Sequence, residues 1–252
     1  MTPEELLATW NAQQTAFMEF RDLRVRAMLE VLAASQPEDR PLRVLDLACG
    51  PGCLGAAVAE RFPDAQVVGV DRDPILLRLG RETNRYPDRV SLLDADLTDP
   101  DLAGVLGHQR FDAAVSATAL HWLQPDELVS LYLRLPQLLN PGAVFLNADH
   151  LLYDAMSHPF LSGLSEAERE RFRVASVKAG AMTWDDWWRT ARSQPGWEAE
   201  SQLWQERWAT KSVTVKVSLD FHRNALRAAG FTEAAPVFRW FDDVVTFARL
   251  PH

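Results

Sequence analysis

The rhythm of hydrophobic and polar positions changes twice along the chain. Over residues 4–34, Leu6, Leu7, Trp10, Phe17, Phe20, Leu23, Val25, Met28, Leu29 and Leu32 recur at three- and four-residue spacing without an internal Gly or Pro, which predicts a helix. The polar stretch SQPEDRP at 35–41 interrupts it. Short apolar runs then alternate with helical stretches. Strands are predicted over 43–47 (RVLDL), 66–70 (QVVGV), 90–93, 111–116 (FDAAVS) and 143–148 (AVFLNA). Helices are predicted over 54–61, 74–84 and 126–139, and Asn140-Pro141-Gly142 turns the last of them into its strand. This alternation predicts a mostly parallel sheet with helices on both faces, its ligand beyond the C-terminal strand ends.

The second change comes at 151, where the alternation stops. Residues 151–217 are polar, helix-like and rich in tryptophan, with Trp184, Trp187, Trp188, Trp197, Trp204 and Trp208. Large aromatics give a small cap its core, so most of these should be buried there and one or two should face a pocket. A helix over 219–229 ends at Gly230. Strands over 234–241 and 244–250, separated by Asp242-Asp243, should then pair as an antiparallel hairpin. The predicted organisation is an N-terminal helical segment (1–40), a core (41–150 and 218–252) and an inserted helical cap (151–217).

Composition narrows the partners. Hydrophobic residues make up 47% of the chain and charged residues 24%, which is ordinary for a globular domain. The net charge of −9 repels phosphate backbones, so a nucleic-acid partner is not expected. Arg169, Arg171 and Arg173 alternate with Glu166, Glu168 and Glu170, the pattern of a solvated helix face. The start, MTPEELLATW, has no cationic and apolar signal, and no run of about 18 apolar residues occurs, so neither secretion nor a membrane span is expected. Cys49 and Cys53 have no His or Cys cluster beside them; no disulfide framework or metal site is expected, and a reducing cytoplasm fits.

The chemistry concentrates after the first strands. Val44-Leu45-Asp46-Leu47-Ala48-Cys49-Gly50-Pro51-Gly52 delivers a carboxylate on a hydrophobic strand, then a turn whose glycines let backbone approach a ligand. The helix beginning near Leu54 aims free N–H groups at that place. Asp71 closes the second strand, where a carboxylate can accept both hydroxyls of a ribose. Asp94-Ala95-Asp96-Leu97 follows the third strand, where an acid can accept from an adenine amino group. Gly50-Pro51-Gly52-Cys53-Leu54-Gly55 also reads as G-x-G-x-x-G, which raises an NAD-dependent oxidoreductase as the alternative. Against it, Asp46, Leu47, Ala48 and Cys49 intervene before the first Gly, which in the dinucleotide motif follows the strand closely. Asp46 would also face a pyrophosphate, and the closing hairpin is foreign to a dinucleotide sheet.

These blocks resemble the class I S-adenosylmethionine-dependent methyltransferases over about residues 40–150 and 219–252. The likeness rests on VLDLACGPG at 44–52, VVGVD at 67–71, DADL at 94–97, FDAAVSATALHWL at 111–123 and LLNPGAVFLNADH at 138–150. The resemblance implies a Rossmann-like seven-stranded sheet whose last inserted strand alone is antiparallel, and S-adenosyl-L-methionine as cofactor with S-adenosyl-L-homocysteine as product. It implies Asp46 near the cofactor's amine, backbone contacts from Ala48, Gly50 and Gly52, Asp71 on the ribose, Asp96 and Leu97 at the adenine, and the Ser116 region at the methionine part. Arg72 would cover the adenine face. Ala48 stands where the family often has Gly. WNAQQTAFMEFRDLR at 10–24 and the ATALHWL block look more loosely like a bacterial subset akin to trans-aconitate methyltransferases, acting on small molecules.

Methyl transfer to a small molecule is thus the expected activity, a non-catalytic S-adenosylmethionine-binding module being the other alternative. Positioning supplies much of the catalysis, and a base is needed only where the acceptor carries a proton to be removed. His121 and Trp122 follow the fourth strand, and Asp149 and His150 the fifth, both at the edge where the methyl group should emerge. Either histidine is a candidate base, with Asp149 to orient it; packing of the following helix is the plainer role. Trp122 and Arg21 are candidate acceptor contacts, Arg21 and Arg24 as carboxylate-binding groups on the first helix.

Overall fold

The computed structural model describes residues 1–209 and 213–252; residues 210–212 of the predicted cap lie outside the described residues. The N-terminal stretch forms two helices, α1 (Pro3–Phe17) and α2 (Arg21–Ser35), instead of the single one expected. Thr2 and Glu5 cap α1 reciprocally: the Glu5 N–H donates to the Thr2 hydroxyl at 3.2 Å and the Thr2 N–H to the Glu5 carboxylate at 2.9 Å. The break falls at Met18, whose extended backbone (φ −134°, ψ 90°) turns its side chain into the protein. There its sulfur accepts a hydrogen bond from the Thr118 hydroxyl at 2.9 Å. A buried long-range contact interrupts a periodicity that would otherwise continue.

The core follows as β1 (Arg43–Leu47), α3 (Cys53–Arg61), β2 (Gln66–Asp71), α4 (Pro74–Thr83), β3 (Val90–Asp94), the short α5 (Leu102–Val105), β4 (Phe111–Ala117), a 3-10 turn (Leu120–Trp122), α6 (Pro125–Leu138) and β5 (Leu139–His150). The cap holds α7 (Pro159–Lys178), α8 (Trp184–Arg192) and α9 (Glu198–Trp208). The chain closes with α10 (Leu219–Ala228), β6 (Glu233–Trp240) and β7 (Asp243–Arg249). The seven strands lie in the order β3-β2-β1-β4-β5-β7-β6. Only β7 runs antiparallel to its neighbours, β5 and β6. This is the expected Rossmann-like sheet. Its strand order reverses direction between β1 and β4, which opens a crevice at their C-terminal ends. No helix among the described residues is long and apolar enough to cross a membrane.

Most strand boundaries fall within a residue of expectation, and two differences bear on the site. β5 begins at Leu139 and runs through His150, because its ladder with β7 pairs Asp149 with Val244 and His150 with Asp243. The hairpin turns on Phe241-Asp242, since Asp243 pairs with Trp240, and Phe241 takes a left-handed φ of 50°.

Apolar layers cover both faces of the sheet: Leu45, Leu47, Phe111 and Phe145 on one, Val44, Val67, Val115 and Val144 on the other. Double coverage is why the central strands read as continuous apolar runs. A third cluster joins Leu6 and Trp10 of α1, Ile75 and Leu79 of α4, and Trp187 and Trp197 of the cap. The first helix and the cap therefore share one core, seated on α4.

α4 in turn sits close against the glycine turn. A Cβ at Gly80 would lie 2.8 Å from the Pro51 carbonyl oxygen and 2.6 Å from Leu92 Cδ1. Replacing a mid-helix Gly by Ala ordinarily stabilises by about 0.5–1 kcal/mol. Here the backbone contact reverses the sign, and Gly80→Ala should cost about 1–3 kcal/mol in urea denaturation. A gain in stability would contradict this packing.

Candidate active site

A cavity of 1310 Å³ opens at the C-terminal strand ends. The turn after β1 lines its floor, α1 and α2 one wall, and the cap helices α7–α9 its roof.

The floor is shaped by backbone conformation. Ala48 and Gly50 both have left-handed φ, 54° and 56°. That explains why glycine is favoured at the Ala48 position, where a Cβ costs roughly 1–2 kcal/mol. The Cys49 N–H donates to the Val70 carbonyl at 3.0 Å and fixes the turn to β2. Asp71 completes the attachment: its Oδ2 accepts from the Gly50 N–H at 2.7 Å and its Oδ1 from the Asp73 N–H at 2.8 Å. Asp46 accepts from the Gly55 N–H at 3.2 Å, and Asp73 caps α4 by accepting from the Ile75 and Leu76 N–H groups at 3.0 Å each.

These three carboxylates are buried and line the cavity. Burial, with the like charge of Asp71 adding to it, pushes Asp46 and Asp73 up to about 7, and burial raises Asp71 as well. None of the three makes an ion pair with a described residue. A ligand bringing a positive charge and hydroxyl donors would relieve this excess of acceptors, so the donor set suits a cationic nucleoside. It does not suit a pyrophosphate, which would add negative charge to the same place.

Farther along the floor, Asp96, Leu97 and Arg72 also face the cavity. Arg72 pairs with Asp96 at 2.9 Å, and its guanidinium lies 5.7 Å from the Trp208 ring centroid. Two expected contacts are not brought to this cavity. The Ser116 hydroxyl is buried and donates to the Leu47 carbonyl at 2.8 Å, so Ala117, Thr118 and Ala119 line the wall in its place. Gly52 is the N-cap of α3 and faces a second cavity behind the turn.

At the other end, His121 Nδ1 lies 2.7 Å from Asp149 Oδ1, and the His121 backbone N–H donates to Oδ2 at 3.2 Å. The His150 N–H donates to Oδ1 at 2.8 Å. Burial would raise the fully buried Asp149, but His121, Arg24 and His150 outweigh it and hold the carboxyl well below its usual range. An ionised carboxylate only accepts, so the His121 Nδ1–H donates to it, which leaves Nε2 of this cavity-lining ring for a ligand. Burial pushes His150 down to about 4, so it is neutral near pH 7. That makes it a cavity-lining acceptor or donor beside the His121–Asp149 pair.

Arg24, which also lines the cavity, is buried with its Nη1 3.1 Å from Asp243 and its Nη2 3.5 Å from the Thr118 hydroxyl. Thr118 has a φ of 57°, a strained position for a β-branched residue at the cavity wall. Arg21 lines the same wall and donates to Asn11 at 2.9 Å. Trp122 lies against Trp184, with ring centroids 6.3 Å apart.

More cap tryptophans reach the cavity than expected. Trp184, Trp188, Trp204 and Trp208 line it, whereas Trp187 and Trp197 are buried core. The i, i+4 spacing within each pair, 184/188 and 204/208, put both rings on one helix face. That signal was present in the sequence. Asp73 was missed too, although an Asp before Pro74 at a helix start is a capping signature. Nothing in the sequence pointed to Arg207, whose partner Asp94 is far away in the chain.

Residues 44–142 match the family described as a methyltransferase domain. The chain is 37% identical over 139 residues to a trans-aconitate 2-methyltransferase of Methylobacterium radiotolerans, covering 55% of this chain and 48% of that protein. It is 34% identical over 152 residues to one of Azoarcus sp., covering 60% and 55%. The aligned region thus spans about half the length of these curated relatives. Among solved structures, the S-adenosylmethionine-dependent methyltransferase SibL in its apo form superposes with a TM-score of 0.54 at 19% identity, over 92% of this chain and 56% of that one. Residues 44–142 thus match a methyltransferase domain, on a sheet whose fold is shared with solved S-adenosylmethionine-dependent methyltransferases. Over a longer stretch the sequence is similar to trans-aconitate 2-methyltransferases.

Asp46 gives the acidic floor a pH signature. Its folded pKa of about 7 lies above its ordinary value, so its contribution to stability is present at low pH and lost as pH rises through 7. Asp46→Asn should therefore stabilise the ligand-free protein at pH 8, by about 1–3 kcal/mol, and leave it little changed at pH 4. Thermal unfolding at the two pH values checks this; equal shifts at both would contradict a buried, uncompensated carboxylate.

Proposed function

We propose that this protein transfers the methyl group of S-adenosyl-L-methionine to a small-molecule acceptor bound between the first two helices, the 3-10 turn and the cap. The observation that carries the reading is a shared cavity: the acidic floor at Asp46, Asp71 and Asp73 and the His121–Asp149 pair open into the same space. Bound there, the cofactor supplies a methyl carbon already activated by a sulfonium. The chain supplies the rest. In this reading Asp71 accepts from the ribose hydroxyls, Asp46 meets the amine, and Asp96 with Leu97 meets the adenine edge; all four line the cavity. The cap and α1 enclose the acceptor and exclude water. For an acceptor hydroxyl or amine, His121 Nε2 would take the proton that the acceptor loses on methylation. Asp149 keeps the imidazole in the required tautomer and stabilises its charged form.

A second acceptor chemistry has its own support. The curated relatives are named for trans-aconitate, a carboxylic acid, and Arg24, Arg169 and Arg173 all line this cavity. A carboxylate oxygen is already ionised and needs no base, so His121 would then only position it. Two free cysteines, one of them buried, are in keeping with a reducing cytoplasm.

Incubation with methyl-labelled cofactor and a metabolite extract, followed by mass identification of the product, tests the activity. Binding of the cofactor with no labelled product would leave a binding module. With the acceptor in hand, His121→Ala should lower kcat by about 10²–10⁴ if the histidine removes a proton. A loss below tenfold would remove His121 from proton transfer. Asp71→Ala should weaken S-adenosylhomocysteine binding by more than about 1 kcal/mol, through loss of a charge-assisted contact. Unchanged affinity by calorimetry would remove Asp71 from the ribose.

A further inference from the structure

The last turn of α9 reaches over the nucleoside end of the cavity and is fastened there by specific contacts. Arg207 forks onto Asp94 at the end of β3, with Nη1 2.7 Å from Oδ1 and Nη2 3.0 Å from Oδ2. The same guanidinium donates to the Arg72 carbonyl, and Arg72 Nη2 returns the contact to the Arg207 carbonyl at 2.9 Å. Arg72 is held from below by Asp96 and lies over the Trp208 ring. Trp208 also meets Trp122, beside His121, with centroids 5.7 Å apart. Arg207, Trp208, Arg72 and Asp96 line the cavity, whereas Asp94 is fastened from behind it.

We propose that Arg207 and Trp208 form a latch that closes the cap over the cofactor and gates its entry and exit, an inference that rests on reading this end as the S-adenosylmethionine site. The cap then serves the cofactor as much as the acceptor. Its strength suits a gate. The Arg207 side chain is 26% exposed and that of Asp94 42%, and an ion pair this open to water holds only loosely. Paired cap and core arginines, each donating to the other's carbonyl, give the closed state a defined geometry without making it permanent. Because Trp208 touches both Arg72 and Trp122, closure over the nucleoside also sets the ring next to His121, so a filled cofactor site and an ordered transfer site come together.

The test follows S-adenosylhomocysteine binding by stopped-flow tryptophan fluorescence on the full chain. Arg207→Met keeps the stem and removes the fork; Asp94→Asn breaks the same pair from the core side and leaves the cap sequence intact. Each should raise both the association and the dissociation rate constants roughly three- to tenfold, with affinity changed much less. The double variant should add nothing to either alone. Asp71→Ala, by contrast, should raise dissociation only. Should Arg207→Met fail to fold, Asp94→Asn reads the same step. Rate constants unchanged in Asp94→Asn, with tight binding retained, would overturn the latch and leave the site assignment standing. A wild-type protein that does not bind S-adenosylhomocysteine overturns both.

Discussion

One carboxylate, withdrawn from water, organises the floor of this protein. Asp71 ends β2 and spends one oxygen on the Gly50 N–H and the other on the Asp73 N–H. The first bond fixes the glycine turn after β1, and the second fixes the start of α4. The turn can then hold its left-handed residues, and Gly80 lets α4 lie directly against it. Burying a charge without a cation is expensive, and a fold built only for stability would avoid it. Here Asp46 and Asp73 repeat the expense beside Asp71. A positively charged, hydroxyl-bearing ligand would offset this cost.

The opposite end of the cavity has the reverse logic. Asp149 is as deeply buried as any residue in the sheet, yet its charge is favoured, because His121 meets it side chain to side chain, the His150 backbone N–H donates to it and Arg24 lies near with its charge. The long β5 makes this possible by running two residues beyond the expected strand end, which carries Asp149 into the ladder with β7. Rigid strand placement, rather than a loop, positions the orienting acid. Met18 and Thr118 tie the break between α1 and α2 to the same wall, so the N-terminal helices are part of the site rather than an appendage.

Much of this was legible in the sequence. Continuous apolar runs ending in Asp46, Asp71 and Asp94 marked buried strands with acids at their C-terminal ends, and a two-residue hairpin marked the antiparallel strand. What escaped depended on contacts remote in the chain. Periodicity could not show that Met18 would leave its helix for Thr118, nor that Arg207 would fork onto Asp94. Ser116 misled because its position in the motif is right while its alternation on β4 turns the hydroxyl toward Leu47 and away from the cavity. The tryptophan pairs were readable by their spacing, but the size of the cap's apolar demand favoured treating them as core. Trp187 and Trp197 are core, and the four others form a wall.

The most direct measurement is isothermal titration of the ligand-free protein with S-adenosyl-L-homocysteine and, separately, with NAD. Binding of the first at one site per chain, with no heat from the second, is the predicted result. Saturable binding of NAD, or none of the thioether nucleoside, would contradict the account of the acidic floor.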